Sequence, residues 1–201
     1  IQYHTPADLL PFGTTFKVGY QPNKGDTTGG NDFKSTGGTN PLAAGGNQQT
    51  QYRIDLSPMD GLKLGADYAE TDGATSAVAA VQEAESGAYY ATYSYGNISA
   101  GYSKAYRADL VTDGALSTNL EVESYDQTNM SIAYVINDDL SVSYEKETSE
   151  VSYQEGDEAD VEQKSTGYQV AYNMGGMTLA LARNSHDNVG YSTTAPDRDQ
   201  T

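Results

Sequence analysis

Gln51-Tyr52-Arg53-Ile54-Asp55-Leu56-Ser57 places Tyr, Ile and Leu on one parity and Gln, Arg, Asp and Ser on the other. Successive side chains of an extended chain point to opposite faces, so this stretch is a strand with one apolar and one polar side. Pro58-Met59-Asp60-Gly61 follows with turn-forming residues. Leu62-Lys63-Leu64-Gly65-Ala66-Asp67-Tyr68 then alternates in the same sense. Two such runs around a short turn predict a tight antiparallel hairpin.

The unit recurs at 88–106 around Gly96-Asn97, at 128–147 around Asn137-Asp138-Asp139, and at 165–186 around Asn173-Met174-Gly175-Gly176. Turns beginning near 58, 96, 137 and 173 lie 38, 41 and 36 residues apart, and spacing this regular marks an architectural repeat. The start fits the same pattern: Ile1-Gln2-Tyr3-His4-Thr5, a stretch punctuated by Pro and Gly up to Gly13, then Thr15-Phe16-Lys17-Val18-Gly19-Tyr20. The expectation is one all-β unit over 1–201, with ten antiparallel strands in hairpins near 1–20, 50–69, 88–106, 128–147 and 165–186. Short turns then lie at one end and long connections at the other. Within one connection, the Ala-rich run Ala74–Glu85 predicts a short helix.

Composition narrows the function. With 11 basic and 28 acidic residues the net charge is 11 − 28 = −17, and the clustered Lys and Arg that hold a phosphate backbone are absent, which excludes nucleic acid as a partner. No Cys is present, so disulfides, thiolate zinc sites and cysteine nucleophiles are excluded together. Apolar residues make up 37 % of the chain and are spread singly, far from the run of about 20 that a membrane helix needs.

The two faces of the strands point to a different membrane solution. Tyr52, Tyr68, Tyr89, Tyr93, Tyr95, Tyr102, Tyr134, Tyr144, Tyr168 and Tyr172 share the apolar parity, whereas a soluble sandwich fills its inward positions mainly with Val, Ile, Leu and Phe. Tyr near strand ends suits the aromatic girdles of a bilayer-spanning barrel, and small polar residues on the other parity suit a watery interior. Hydrocarbon leaves no strand edge unpaired, so the expected architecture is a closed, up-and-down transmembrane β-barrel.

Ile1-Gln2-Tyr3-His4-Thr5-Pro6, followed by Phe12-Gly13-Thr14-Thr15-Phe16-Lys17-Val18-Gly19-Tyr20, resembles a mid-barrel hairpin of Gram-negative general porins, and the four later hairpins are similar to that family's. The resemblance covers essentially the whole chain and is one of pattern more than of motif. It implies ten strands of a sixteen-stranded barrel, a homotrimer in the cell outer membrane, and a channel for passive diffusion of ions and small hydrophilic solutes. It also implies a fragment: the chain lacks a leader and earlier strands, and Asp199-Gln200-Thr201 stands where the family has its last loop before a terminal aromatic strand.

Charges divide between loops and wall. The long connections hold most of the acids, and the wall holds Lys17, Arg53, Lys63, Lys104, Lys146 and Arg183 against Asp55, Asp67 and Glu145. Lys17, Arg53, Asp55, Lys63 and Asp67 fall on the polar parity and are the candidate pore-lining residues, where their field would act on permeating ions. Lys104, Lys146 and Arg183 each stand six residues after the first apolar residue beyond a turn, Ile98, Leu140 and Met177. They share the lipid-facing parity and one height, a row suited to lipopolysaccharide phosphates.

Other chemistries find less footing. Glu155, Asp157, Glu158, Asp160 and Glu162 match no defined calcium loop, and no metal or cofactor is implied. Outer-membrane proteases of the omptin type would also suit ten strands, yet the chain has only His4 and His186, and His186-Asp187 in an extended strand would point its two side chains apart. A non-pore surface or adhesin β-protein is the other alternative.

Overall fold

The computed structural model describes residues 1–6, 9–21, 48–71, 80–109, 111–112, 122–154, 159–194 and 196–200. Its strands are β1 Gln2–His4, β2 Thr15–Gln21, β3 Gln49–Met59, β4 Leu62–Thr71, β5 Ala80–Gln82, β6 Ala84–Tyr95 and β7 Ile98–Ala108. They continue as β8 Val111–Thr112, β9 Val122–Asn137, β10 Leu140–Tyr153, β11 Val161–Met174, β12 Met177–Asp187 and β13 Arg198–Gln200. Eleven of these form one antiparallel up-and-down sheet in the order β1-β2-β3-β4-β6-β7-β9-β10-β11-β12-β13, and β5 pairs with β8 in a separate ribbon. Among the described residues β1 pairs only with β2 and β13 only with β12, so the sheet has two open edges.

Two expectations change. The sheet has eleven strands where alternation implied ten, because β13 returns beside β12 with Ser185 opposite Asp199. The Ala-rich run supplies β5 and the start of β6 where a helix was expected, since each strand there gains a partner, β8 or β4, and ladder pairing overrides helix propensity. Residues 72–79 lie outside the described residues. No α-helix occurs among the described residues; Pro11–Gly13 forms a single 3₁₀ turn.

Four two-residue turns, at 60–61, 96–97, 138–139 and 175–176, join the hairpins. They use different chemistry. Asn137 accepts the backbone N–H of Asp139 at 3.0 Å and of Leu140 at 2.9 Å through its side-chain oxygen, an Asx turn. Gly61 adopts φ +80°, and a Cβ there would collide with the Ser94 carbonyl of the neighbouring hairpin, so both conformation and space require glycine.

The sheet is one layer thick, and the described residues enclose no apolar interior. Ala108 and Val151 are the only buried apolar residues among those described. Meanwhile Tyr52, Ile54, Tyr68, Tyr89, Tyr102, Met130, Ile132, Tyr134, Tyr168, Val170, Tyr172, Leu179 and Leu181 stand exposed, all on one face. Cross-strand aromatic contacts run along that face, with Tyr144 and Tyr168 centroids 4.8 Å apart and Tyr89 and Tyr102 centroids 6.2 Å apart. Each such pair contributes roughly 0.5–1.5 kcal/mol beyond area burial.

The register carries a constant step. Leu62 faces Tyr93, two residues short of the end of β6 at Tyr95. Ile98 shares a rung with Tyr134 and Val142, two residues past Leu140. Leu140 in turn faces Tyr172, two short of Met174. Equivalent backbone hydrogen bonds mark each step: Ser94 N–H to Gly61 O at 3.0 Å, Val135 N–H to Asn97 O at 2.8 Å, and Asn173 N–H to Asp139 O at 2.8 Å. A step of two residues across two strands, at about 3.3 Å per residue and about 4.8 Å per strand, inclines the strands by about 35° from the perpendicular to the line of turns.

Candidate functional site

The polar face at the β1–β4 side carries all five residues singled out for a pore wall. Lys17, Arg53 and Asp67 sit opposite one another on adjacent strands, with His4 opposite Lys17. Together with Gln2 and Gln51 they line a recess. Arg53 donates from Nε and Nη2 to Asp55 at 2.8 and 2.9 Å, a two-pronged pair along one strand. Tyr90 O–H, two strands away, donates to Asp55 Oδ1 at 3.0 Å.

Gly65 makes that reach possible. It lies between Asp55 and Tyr90 in the ladder, and a Cβ there would strike the Tyr90 ring and Asp55 Oδ1. The pair is partly open to water, with Arg53 47 % and Asp55 25 % exposed, so its role is to fix position more than to add stability. Lys63 projects from the same face opposite Thr92. Among the described residues neither Lys17 nor Lys63 forms an ion pair. This face therefore presents Lys17, Lys63 and Asp67, with Arg53 and Asp55 bound to each other.

Sequence reasoning passed over Tyr90 and Gly65. The signal was present, since Tyr90 occupies the polar parity of β6 between the outward Tyr89 and Ala91, and a residue as large as Tyr on the small-residue face calls for a partner.

Farther along, Gln127 donates to Glu147 at 2.7 Å and Asn129 to Ser103 at 3.3 Å. His186 Nδ1 meets Ser165 Oγ at 3.0 Å. Its chain neighbour Asp187 faces Lys164 on the other side of the sheet, so the sequence pair His186-Asp187 is not a spatial one.

On the apolar side, Lys104 lies opposite Thr128, Lys146 opposite Met130 and Arg183 opposite Tyr168. These are three different rungs, each displaced by the two-residue step between hairpins, so the residues are equidistant from their own turns. Lys104 approaches Asp126 at 3.8 Å and Arg183 approaches Asp199 at 3.8 Å, both carboxylates lying toward the long connections. The strands also run farther than alternation suggested and carry Glu70, Glu85, Arg107, Asp126, Glu150, Glu162, Lys164 and Asp187. Acidity assigned to loops is thus built into the strand ends. Asp126, Glu150 and Glu162 share one rung on the apolar parity, and Tyr68 and Tyr106 both donate to Glu85, at 2.7 and 3.1 Å. Glu155, Asp157 and Glu158 lie outside the described residues.

No protein-family model matches the sequence, and a search of curated proteins found no match. The functional reading therefore rests on geometry and chemistry.

Proposed function

We propose that the chain is a wall segment of an outer-membrane β-barrel of the general-porin kind, closed by further strands and passing ions and small hydrophilic solutes by passive diffusion. The observation that carries this reading is the continuous exposed apolar face on a sheet with no core. In water so large an apolar surface is a liability, whereas in hydrocarbon it is the required exterior. The polar face then lines an aqueous lumen.

Two further features support it. The inclination of about 35° set by the register falls within the roughly 35–45° of membrane barrels. Tyr also stands in two belts: Tyr93, Tyr95, Tyr134 and Tyr172 lie within three residues of their turns, and Tyr52, Tyr68, Tyr89 and Tyr168 lie six or seven away. At about 2.7 Å of height per inclined residue the second belt stands about 16–19 Å above the turns, and Ile54, Ala66, Val170 and Leu181 lie between the belts together with Tyr102 and Tyr144.

The same height applies to Lys104, Lys146 and Arg183, which leaves their Cα atoms several ångströms inside a band about 25 Å tall. Long side chains directed toward the connections close that gap, and there lipopolysaccharide phosphates would meet them. A homotrimer and an outer-membrane location belong to the same proposal.

Conductance of the complete protein in planar lipid bilayers tests it. Stable, water-filled steps are expected. Folded protein that inserts without conducting would favour a non-pore surface protein, and protein that folds in water without lipid would sink the barrel.

A further inference from the structure

The segment 188–194, after β12, runs back over the sheet. Tyr191 shares a hydrogen bond of 2.6 Å with Ser149 Oγ and packs its ring against Tyr125 with centroids 5.6 Å apart. Asn188 Nδ2 donates to Glu162 O at 2.8 Å, and Gly190 N–H donates to the Gln163 side chain at 2.8 Å. These partners come from three adjacent strands, β9, β10 and β11. Tyr125, Ser149 and Gln163 all take the polar parity.

Backbone and burial point the same way. Asn188, Gly190 and Tyr191 have φ of 53°, 70° and 55°. Positive φ at a Tyr is uncommon and persists only where surrounding contacts fix it. Five described residues are buried, and one of them, Ser149 at 7 %, is the hydrogen-bond partner of Tyr191, with Val151 at 1 % two residues farther along the same strand and face. Val151 faces Tyr125 directly in the ladder. Ser141 and Ser143, on the same strand and face, are only half-buried.

We propose that 188–194 is a fixed strap across the polar face, latched by Tyr191, which narrows the passage at its long-connection end and limits the size of solute admitted. This rests on the pore reading above. Ser149 is nine residues from Leu140, about 24 Å above the turns at the inclination given by the register, which puts the strap at the mouth, about 8 Å higher than Arg53, six residues from Met59. Unlatching Tyr191 removes the hydrogen-bond partner that lies over Ser149.

Because the chain has no Cys, Ser149→Cys provides a clean reporter in the complete protein reconstituted in lipid. A water-soluble maleimide should label it slowly, and roughly tenfold faster once Tyr191→Ala removes the ring contact. The same Tyr191→Ala change in protein that keeps Ser149 should raise single-channel conductance and speed the uptake of trisaccharides more than of monosaccharides. Tyr191→Phe, which keeps the ring on Tyr125, should fall between and serves if the Ala variant does not fold. Equal labelling with and without Tyr191 would overturn the strap. Faster labelling with unchanged conductance and sugar limit would overturn its role in sizing. Absence of conductance in every form, the unaltered protein included, would instead remove the pore reading.

Discussion

Leu181→Arg and Ala182→Arg place the same charge on adjacent residues of β12 that face opposite sides of the sheet, Leu181 opposite Val170 and Ala182 opposite Gln169. Leu181 is 63 % exposed and four residues beyond Met177. At about 2.7 Å of height per residue it stands about 11 Å above the turns, near the middle of an apolar band about 25 Å tall. An Arg there should cost about 2–4 kcal/mol, a factor of roughly 30 to nearly 1000 in the unfolding equilibrium. At Ala182, on the wet face, the cost should stay within about 0.5 kcal/mol, as for an ordinary surface change. Equilibrium urea unfolding of the protein in lipid vesicles measures both. If Leu181 instead faced water, its exchange for Arg would be close to neutral. Equal costs at the two positions would refute the assignment of faces.

Gly61→Ala should destabilise by roughly 1–3 kcal/mol, since it adds a collision with Ser94 to the strain of φ +80°. Gly96→Ala, at φ +56° with open space around it, should cost less in thermal unfolding. Lys17→Glu with Arg53→Glu should move the channel toward cations, because Asp55 then loses its partner and the recess turns acidic. An unchanged reversal potential under a salt gradient would show that these side chains do not face the permeation path. Exchanging Lys104, Lys146 and Arg183 for Gln should lower thermal stability more in lipopolysaccharide-containing membranes than in zwitterionic detergent. Equal losses would leave only side chains reaching for water.

The antiparallel hairpins were legible because period-two alternation is a local signal: Tyr52, Ile54 and Leu56 facing Tyr68, Ala66 and Leu64 could be paired on paper and pair so in the sheet. Strand ends were not legible. From Val122 to Thr128, β9 alternates little and carries Glu123 and Asp126, so the stretch reads as an acidic loop, yet ladder pairing with β7 and β10 extends it as strand. The equal spacing of Lys104, Lys146 and Arg183 from their turns could be counted directly, while the rungs they occupy depend on the stagger between hairpins, which no single hairpin encodes. Tyr90 over Gly65 and Tyr191 on Ser149 escaped for a related reason. Each contact joins residues distant in sequence, 35 and 42 positions apart from Asp55 and Ser149 respectively, and only the folded register brings them together.

The claim that one face of this sheet meets lipid and the other water is tested most directly by a cysteine scan of β12, Met177–Asp187, in reconstituted protein. Each position would carry a spin label probed with oxygen, which concentrates in hydrocarbon, and with a water-soluble nickel chelate. Met177, Leu179 and Leu181 should favour oxygen, and Thr178, Ala180, Ala182 and Asn184 should favour the chelate, in strict alternation. Chelate access at Leu179 and Leu181, or no alternation along the strand, would contradict a membrane-spanning wall.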